Sequence, residues 1–263
     1  GKTYHFLTLS VLYRGVSVPI WWHDLAKLGI SSQQQRKRML QSALKVLNLV
    51  GDREYIGTQW FEMLHQAGIG VVVRLRKGNY QSDIEQRGHS VNKLENRARS
   101  RVGQVVWKQF TLQDHRYYYV LKAYHNRSGK IEYLRLISSV TPALAIECYR
   151  QRYRIEAMFK HLKSNAFDLE ALHVRQAYKI RMMMALVVLA YTLSVCYGLA
   201  QYKRRIAIKK HGSAQVSVLR HGLDKWQNYL QSFVVFLEHL SLYLDSLTKH
   251  ANKRKLLLNQ IVP

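Results

Sequence analysis

Glu156 is the only carboxylate in CYRQRYRIEAMFKHLKS, Cys148–Ser164, a stretch that also holds three arginines, two lysines and a histidine. If the stretch is helical, Tyr149, Arg152, Glu156 and Lys163 fall within roughly 60° of one another at about 100° per residue. One face then sets a hard oxygen donor beside two cations and a phenol. Magnesium-type ions take oxygen ligands, and arginine and lysine hold phosphate oxygens, so this face suits chemistry in which a divalent metal and a phosphate meet. Ile155, Phe159 and Leu162 make an adjacent apolar stripe for packing on a sheet, while Arg150, Arg154 and His161 point elsewhere. The same spacing also suits an ordinary basic helix in which Glu156 pairs with Arg152 and Lys160 one turn away. A second carboxylate, Asp52 in VGDREYIGTQW, stands where an apolar strand ends and a loop leads into a helix. Open α/β sheets place ligands at that end, although aspartate there also caps the following helix.

The elements that must position these residues begin with HFLTLSVLY (5–13) and VSVPIWW (16–22), two β-like runs joined at Arg14-Gly15 as a hairpin. SSQQQRKRMLQSALKVL (31–47) has a serine cap and helical spacing of Met39, Leu40, Ala43, Leu44 and Leu47. LNLVG forms a short strand ending at Asp52, GTQWFEMLHQAG a helix closed by Gly68, and GVVVRLRK another strand. This order predicts a mixed α/β sheet. From Gly78 the pattern changes: a polar, weakly periodic segment precedes QVVWKQF, RYYYVLKAYH and IEYLRLIS, the last two separated by the turn NRSGK. Residues 79–139 are therefore expected as a β-rich insertion between a first core segment (1–78) and a second (140–200). Thr141-Pro142 opens a helix expected to reach about Ser164, and a basic link with C-terminal helices occupies 201–263.

Composition narrows the partners. Lys plus Arg number 41 against 16 acids among 263 residues, a formal charge of +25. Such a surplus points to a polyanion, with nucleic acid first and an anionic membrane surface second. Cys148 and Cys196 have no metal or redox spacing and are expected to be reduced and structural, as in a cytosolic protein. The opening residues alternate as a strand and show no secretory signal; without an initiating methionine, the chain is expected to be part of a longer protein. Met182–Ala200 carries no charge and meets the length of a membrane span. With basic residues on both flanks it is expected instead as a core helix buried on most sides. None of the twelve histidines falls in an HxH or HExxH spacing. Trp107, in a β-like run, is expected in the core, and Asp168 and Glu170 as structural. YKRRIAIKKH (202–211) suits either DNA phosphates or a solvated loop.

Tyr149-x2-Arg152-x3-Glu156-x6-Lys163 matches position for position the Tyr-Arg-Glu-Lys signature of DDE transposases from one large family of bacterial insertion sequences. GDREYIGTQWF resembles that family's second-aspartate strand end, NAFDLEALHV the segment after the signature, and KKHGSAQVSVLRHGL its C-terminal region, so the resemblance runs from about Thr3 to Leu230. It implies an α/β fold of the ribonuclease H-like type, a mixed sheet with a β-rich insertion and a helical C-terminal region. It further implies three carboxylates holding two Mg²⁺ ions for in-line attack on a DNA phosphodiester, with Asp52 as the second acid and Glu156 as the third. Tyr149, Arg152 and Lys163 would bind phosphates near the transposon end. The implied partner is double-stranded DNA, bound by a homodimer at synapsis, in the bacterial cytoplasm and away from membranes.

The first acid of that set is the departure. The family carries it on a strand ahead of a hairpin such as His5–Trp22, yet the only acid before Asp52 is Asp24, which follows the hairpin. The first acid is therefore expected to precede Gly1 in the parent protein, and the chain as it stands is expected not to cleave DNA. Two other readings stay open: a DNA-binding relic without chemistry of its own, and a basic protein spanning a membrane once at Met182–Ala200.

Overall fold

The structure, a computed structural model, describes residues 5–25, 31–42, 49–85, 90–169, 174, 176–205 and 215–261. Residues 43–47 of the expected first helix, Glu170 with its neighbours 171–173, and 206–211 of the basic link lie outside the described residues. The chain divides into two compact units, Gly1–Phe159 and Lys160–Pro263.

In the first unit, β1 (Phe6–Tyr13) and β2 (Val16–Asp24) pair antiparallel. Arg14 and Gly15 both have positive φ, 48° and 79°, the two-residue turn whose twist matches that of the strands it joins. The register slips between Leu9 and Ser10, opposite Pro19, which has no N–H for a regular ladder. Helix α1 (Gln33–Ser42) starts with a reciprocal cap: the Gln35 N–H donates to Ser32 Oγ at 3.3 Å, and the Ser32 N–H donates to Gln35 Oε1 at 2.8 Å. Leu7, Leu25 and Met39 form a small core shared by the hairpin and α1.

Strands β3 (Leu49–Gly51) and β4 (Val71–Arg74) run parallel, joined through α2 (Thr58–Gln66), as a crossover helix allows. Their sheet continues through the segment expected as an insertion. After α3 (Gln81–Glu85) and α4 (Val91–Arg99) come β5 (Val105–Leu112), β6 (His115–His125) and β7 (Ile131–Ser138). These three strands form an antiparallel meander whose last member pairs with β4, giving one five-stranded mixed sheet in the order β3-β4-β7-β6-β5. The polar segment that showed weak periodicity is α3 and α4, which bury the apolar Ile84, Val91 and Ala98 together with the charged Glu95. These helices and α2 cover one sheet face through Phe61, Leu64, Val73, Tyr117, Leu121 and Ile137. The other face, with Val72, Val120 and Leu136, lies under α5 (Pro142–Arg150) through Ala145 and Tyr149. Buried on both faces, β4 reads as an unbroken apolar run, as an interior strand should.

The second unit is helical: α7 (Ala177–Arg205), α8 (Val218–Tyr229) and α9 (Phe233–Ile261). Alpha7 is, among the described residues, the one helix long and apolar enough to cross a membrane. The expectation that most of its sides are buried does not hold. Met184, Val188, Tyr191 and Val195 form one buried stripe, whereas Met182, Leu186 and Leu189 are exposed. Gly222 of α8 meets the Ser194 backbone of α7 so closely that no Cβ fits there. Contact along one such seam leaves the rest of α7 uncovered by α8. The mixed α/β sheet with a helical C-terminal region agrees with a ribonuclease H-like fold.

Candidate metal and phosphate site

The helix expected to run unbroken to Ser164 is interrupted. Alpha5 ends at Arg150, α6 spans Tyr153–Lys160, and a π-helical turn follows at His161–Asn165. Thr141 takes the cap position and Pro142 the first turn, although the Thr141 hydroxyl makes no capping bond. At the break, the N–H groups of Gln151, Arg152, Arg154 and Ile155 donate to carbonyls three residues back, at 2.9–3.1 Å. This is the tighter winding in which residues three apart eclipse one another. The uniform 100° face therefore does not exist, yet the tightening sets Arg152 over Tyr149, with the guanidinium carbon 5.5 Å from the ring centroid. From Arg152 to Glu156 the spacing is again a helical i,i+4.

Tyr149, Arg152 and Glu156 lie in the first unit with Asp52, and Arg152 is the one of them that reaches it. Arg152 Nη2 donates to Glu156 Oε1 at 2.5 Å, and Arg152 Nη1 lies 3.8 Å from Asp52 Oδ2. One guanidinium thus stands between the two carboxylates. The Arg152 side chain is 21% exposed, against 47% for Asp52 and 62% for Glu156. Asp52 is held by its own turn: the Arg53 N–H donates to its Oδ1 at 2.9 Å, and the Tyr55 N–H to its carbonyl at 3.0 Å. That arrangement turns the chain directly after β3 and leaves Oδ2 outward. The i,i+4 pair of the plain basic-helix reading is present between Arg152 and Glu156; the contact with Asp52, from a distant part of the chain, is what that reading does not contain.

Charge and burial act together here. Burial raises the pKa of Tyr149, Arg152 lowers it, Asp52 raises it and Arg74 lowers it again, with the net shift upward. Its buried hydroxyl makes no hydrogen bond of good geometry among the described residues, although Arg74 stands near enough to lower its pKa. For Arg152, burial by itself lowers the pKa, but Tyr149, Glu156 and Asp52 outweigh it and raise it, so the guanidinium stays charged. Arg74 belongs to the same neighbourhood and sequence reasoning passed over it. Its signal was there: it ends β4, the parallel neighbour of the strand that leads to Asp52.

Lys163 lies in the second unit, exposed on the π-helical turn. Of the expected apolar stripe, Leu162 is buried, whereas Ile155 and Phe159 are half-buried. Met158 is the buried residue of α6, and its Sδ accepts from Ser17 Oγ of β2 at 3.5 Å, because the break at residues 151–152 rotates α6 relative to α5. Trp107 is 51% exposed rather than core, standing edge-on to Tyr118, and β5 is an edge strand of the sheet. Cys148 and Cys196 are free, and burial raises both thiols, which keeps them protonated and inert. His115 pairs with Glu62 at 2.9 Å and stacks on His65, but the described residues contain no group of three His, Cys, Asp or Glu able to hold a metal.

What the site offers is a pair of solvent-open carboxylates with arginines around them. Their hard oxygens fit Mg²⁺, which is held by one or two carboxylates together with waters and substrate phosphates rather than by a closed protein cage. Among curated proteins no sequence matches this chain. Residues 30–193, well over half its length, match the family described as transposase DDE domain, and the match spans both Asp52 and Glu156. The chain belongs to the DDE transposase family.

Proposed function

We propose that this chain carries the catalytic region of an insertion-sequence transposase of the Tyr-Arg-Glu-Lys type, acting on double-stranded DNA by Mg²⁺-dependent strand cleavage and strand transfer. The observation that supports this most directly is the convergence of Asp52 and Glu156 on Arg152. Asp52 and Glu156 would hold the metal. A divalent metal held by them would supply Lewis-acid chemistry, for activating a water or a 3′-hydroxyl and for offsetting charge on the leaving oxygen. Arg152, with Tyr149 beneath it, would orient a backbone phosphate, and Arg74 would add charge from the neighbouring strand. Lys163 would take a second phosphate. As a DNA enzyme that joins two transposon ends, the protein would work as a homodimer at synapsis, in the bacterial cytoplasm.

No third acid of this chain is assigned to the set. Asp24, the only acid ahead of Asp52, closes β2 against Phe6. We therefore expect this chain to bind DNA and metal, and to cut only when the first acid is supplied. Binding of a duplex oligonucleotide, followed by fluorescence anisotropy from low to high salt, tests the reading. Affinity should fall with a log–log slope of about −0.9 per phosphate neutralised, and Arg152→Gln should make that slope shallower. Binding that ignores salt would sink it. Salt-sensitive binding that Mg²⁺ leaves unchanged would instead describe a DNA-binding relic.

A further inference from the structure

We propose that Arg152 occupies the metal's place in the DNA-free protein, and that metal and DNA backbone bind cooperatively because a phosphate must draw Arg152 off the two carboxylates. This rests on the assignment of Asp52 and Glu156 as metal ligands.

Both Nη atoms of Arg152 face carboxylate oxygens, Glu156 Oε1 at 2.5 Å and Asp52 Oδ2 at 3.8 Å. With Asp52 Oδ1 already taken by the Arg53 N–H, the outward oxygen of Asp52 is the one that a metal would need and the one that Arg152 faces. A guanidinium between two carboxylates leaves the trio with one net negative charge. A divalent cation arriving at the same oxygens with the guanidinium still in place would meet a like charge at ion-pair distance, which costs far more than an exposed ion pair contributes. The two cations therefore exclude one another. Arg152 is not free to drift into solvent, since its side chain is largely covered and lies over the Tyr149 ring. The groups that can receive it are anions at the mouth of the site, and phosphate oxygens match its planar fork as well as carboxylates do. Linkage then requires that DNA tighten metal binding by the same factor as metal tightens DNA binding.

The test is Mn²⁺ binding, read by electron paramagnetic resonance of the free ion, on the full chain with and without a duplex oligonucleotide. Wild type, Arg152→Gln, Arg152→Lys, Asp52→Asn and Glu156→Gln are compared, each checked for an unchanged circular dichroism spectrum. Without DNA, Arg152→Gln should bind Mn²⁺ about tenfold more tightly than wild type, the scale of two solvent-open ion pairs released together. In wild type, duplex should tighten Mn²⁺ by a similar factor, and in Arg152→Gln that tightening should vanish. Arg152→Lys, a point charge that cannot face both carboxylates at once, should fall between. Equal or weaker Mn²⁺ binding by Arg152→Gln overturns the proposal. If Asp52→Asn and Glu156→Gln weaken Mn²⁺ in that case, the metal site stands and only the exchange is wrong. If those two variants leave Mn²⁺ affinity unchanged, the metal assignment itself fails and the exchange fails with it.

Discussion

Removing Glu95 should destabilise the protein more than removing Glu95 and Arg135 together. Arg135 on β7 donates from Nε and Nη2 to a single oxygen, Glu95 Oε1 of α4, at 2.9 and 2.8 Å. The side chains are only 15% and 11% exposed, and the guanidinium also lies 4.9 Å from the Tyr133 ring centroid. Glu95→Ala leaves a guanidinium in the sheet–helix layer with an aromatic face but no anion. Breaking a buried pair from one side costs about 3–5 kcal/mol. The remaining exposure of Arg135 admits some water and brings the expected loss to about 2–4 kcal/mol. Glu95→Leu with Arg135→Met removes both charges and keeps the volume, so it should stay within about 1 kcal/mol of wild type. Urea unfolding followed by far-ultraviolet circular dichroism measures both. A double variant as unstable as Glu95→Ala would show that the loss comes from packing or the pair's own attraction, not from a stranded charge. The pair lies on the sheet face away from α5, so neither variant should change Mn²⁺ binding at Asp52 and Glu156.

Gly222→Ala should cost about 1–3 kcal/mol, because its Cβ would collide with the Ser194 backbone of α7 and overpack the seam; a thermal unfolding temperature equal to wild type would contradict that packing. Trp107→Ala should change stability by less than about 1 kcal/mol, since half of the side chain already faces water. A loss of several kcal/mol in denaturant titration would return Trp107 to the core. Tyr119 is buried, and burial pushes its pKa up to about 12 despite the lowering influence of Arg135. An unfolded tyrosine titrates near pH 10 (about). The stabilising contribution is therefore complete below about pH 10 and is lost as pH rises through about 12, because the unfolded chain releases protons that the folded chain keeps. Urea midpoints that stay level across that window would refute the burial.

Residues 5–22 were legible as a hairpin because alternating apolar residues and an Arg-Gly turn act over a few neighbours, and the same holds for α2 and for β4. Asp52 could be singled out because a short apolar run followed by a turn marks a strand end by itself. The signature from Tyr149 to Lys163 was legible as residue types at fixed spacings. Its geometry was not, since a uniform helix was assumed where three-residue hydrogen bonds break α5 from α6. The weak periodicity of α3 and α4 hid two short helices, because one of the few buried positions is the charged Glu95 and the apolar signal is correspondingly thin.

The amino-acid order alone thus determined the local elements, the basic surplus, and the pair of acids worth attention. The tertiary structure decided that β5–β7 continue the sheet of β3 and β4, that Trp107 faces solvent, and that Arg152 stands between Asp52 and Glu156. The physical reason is range. Backbone winding and capping depend on residues within a turn or two, whereas strand neighbours, burial and ion partners depend on which distant segments the core brings together.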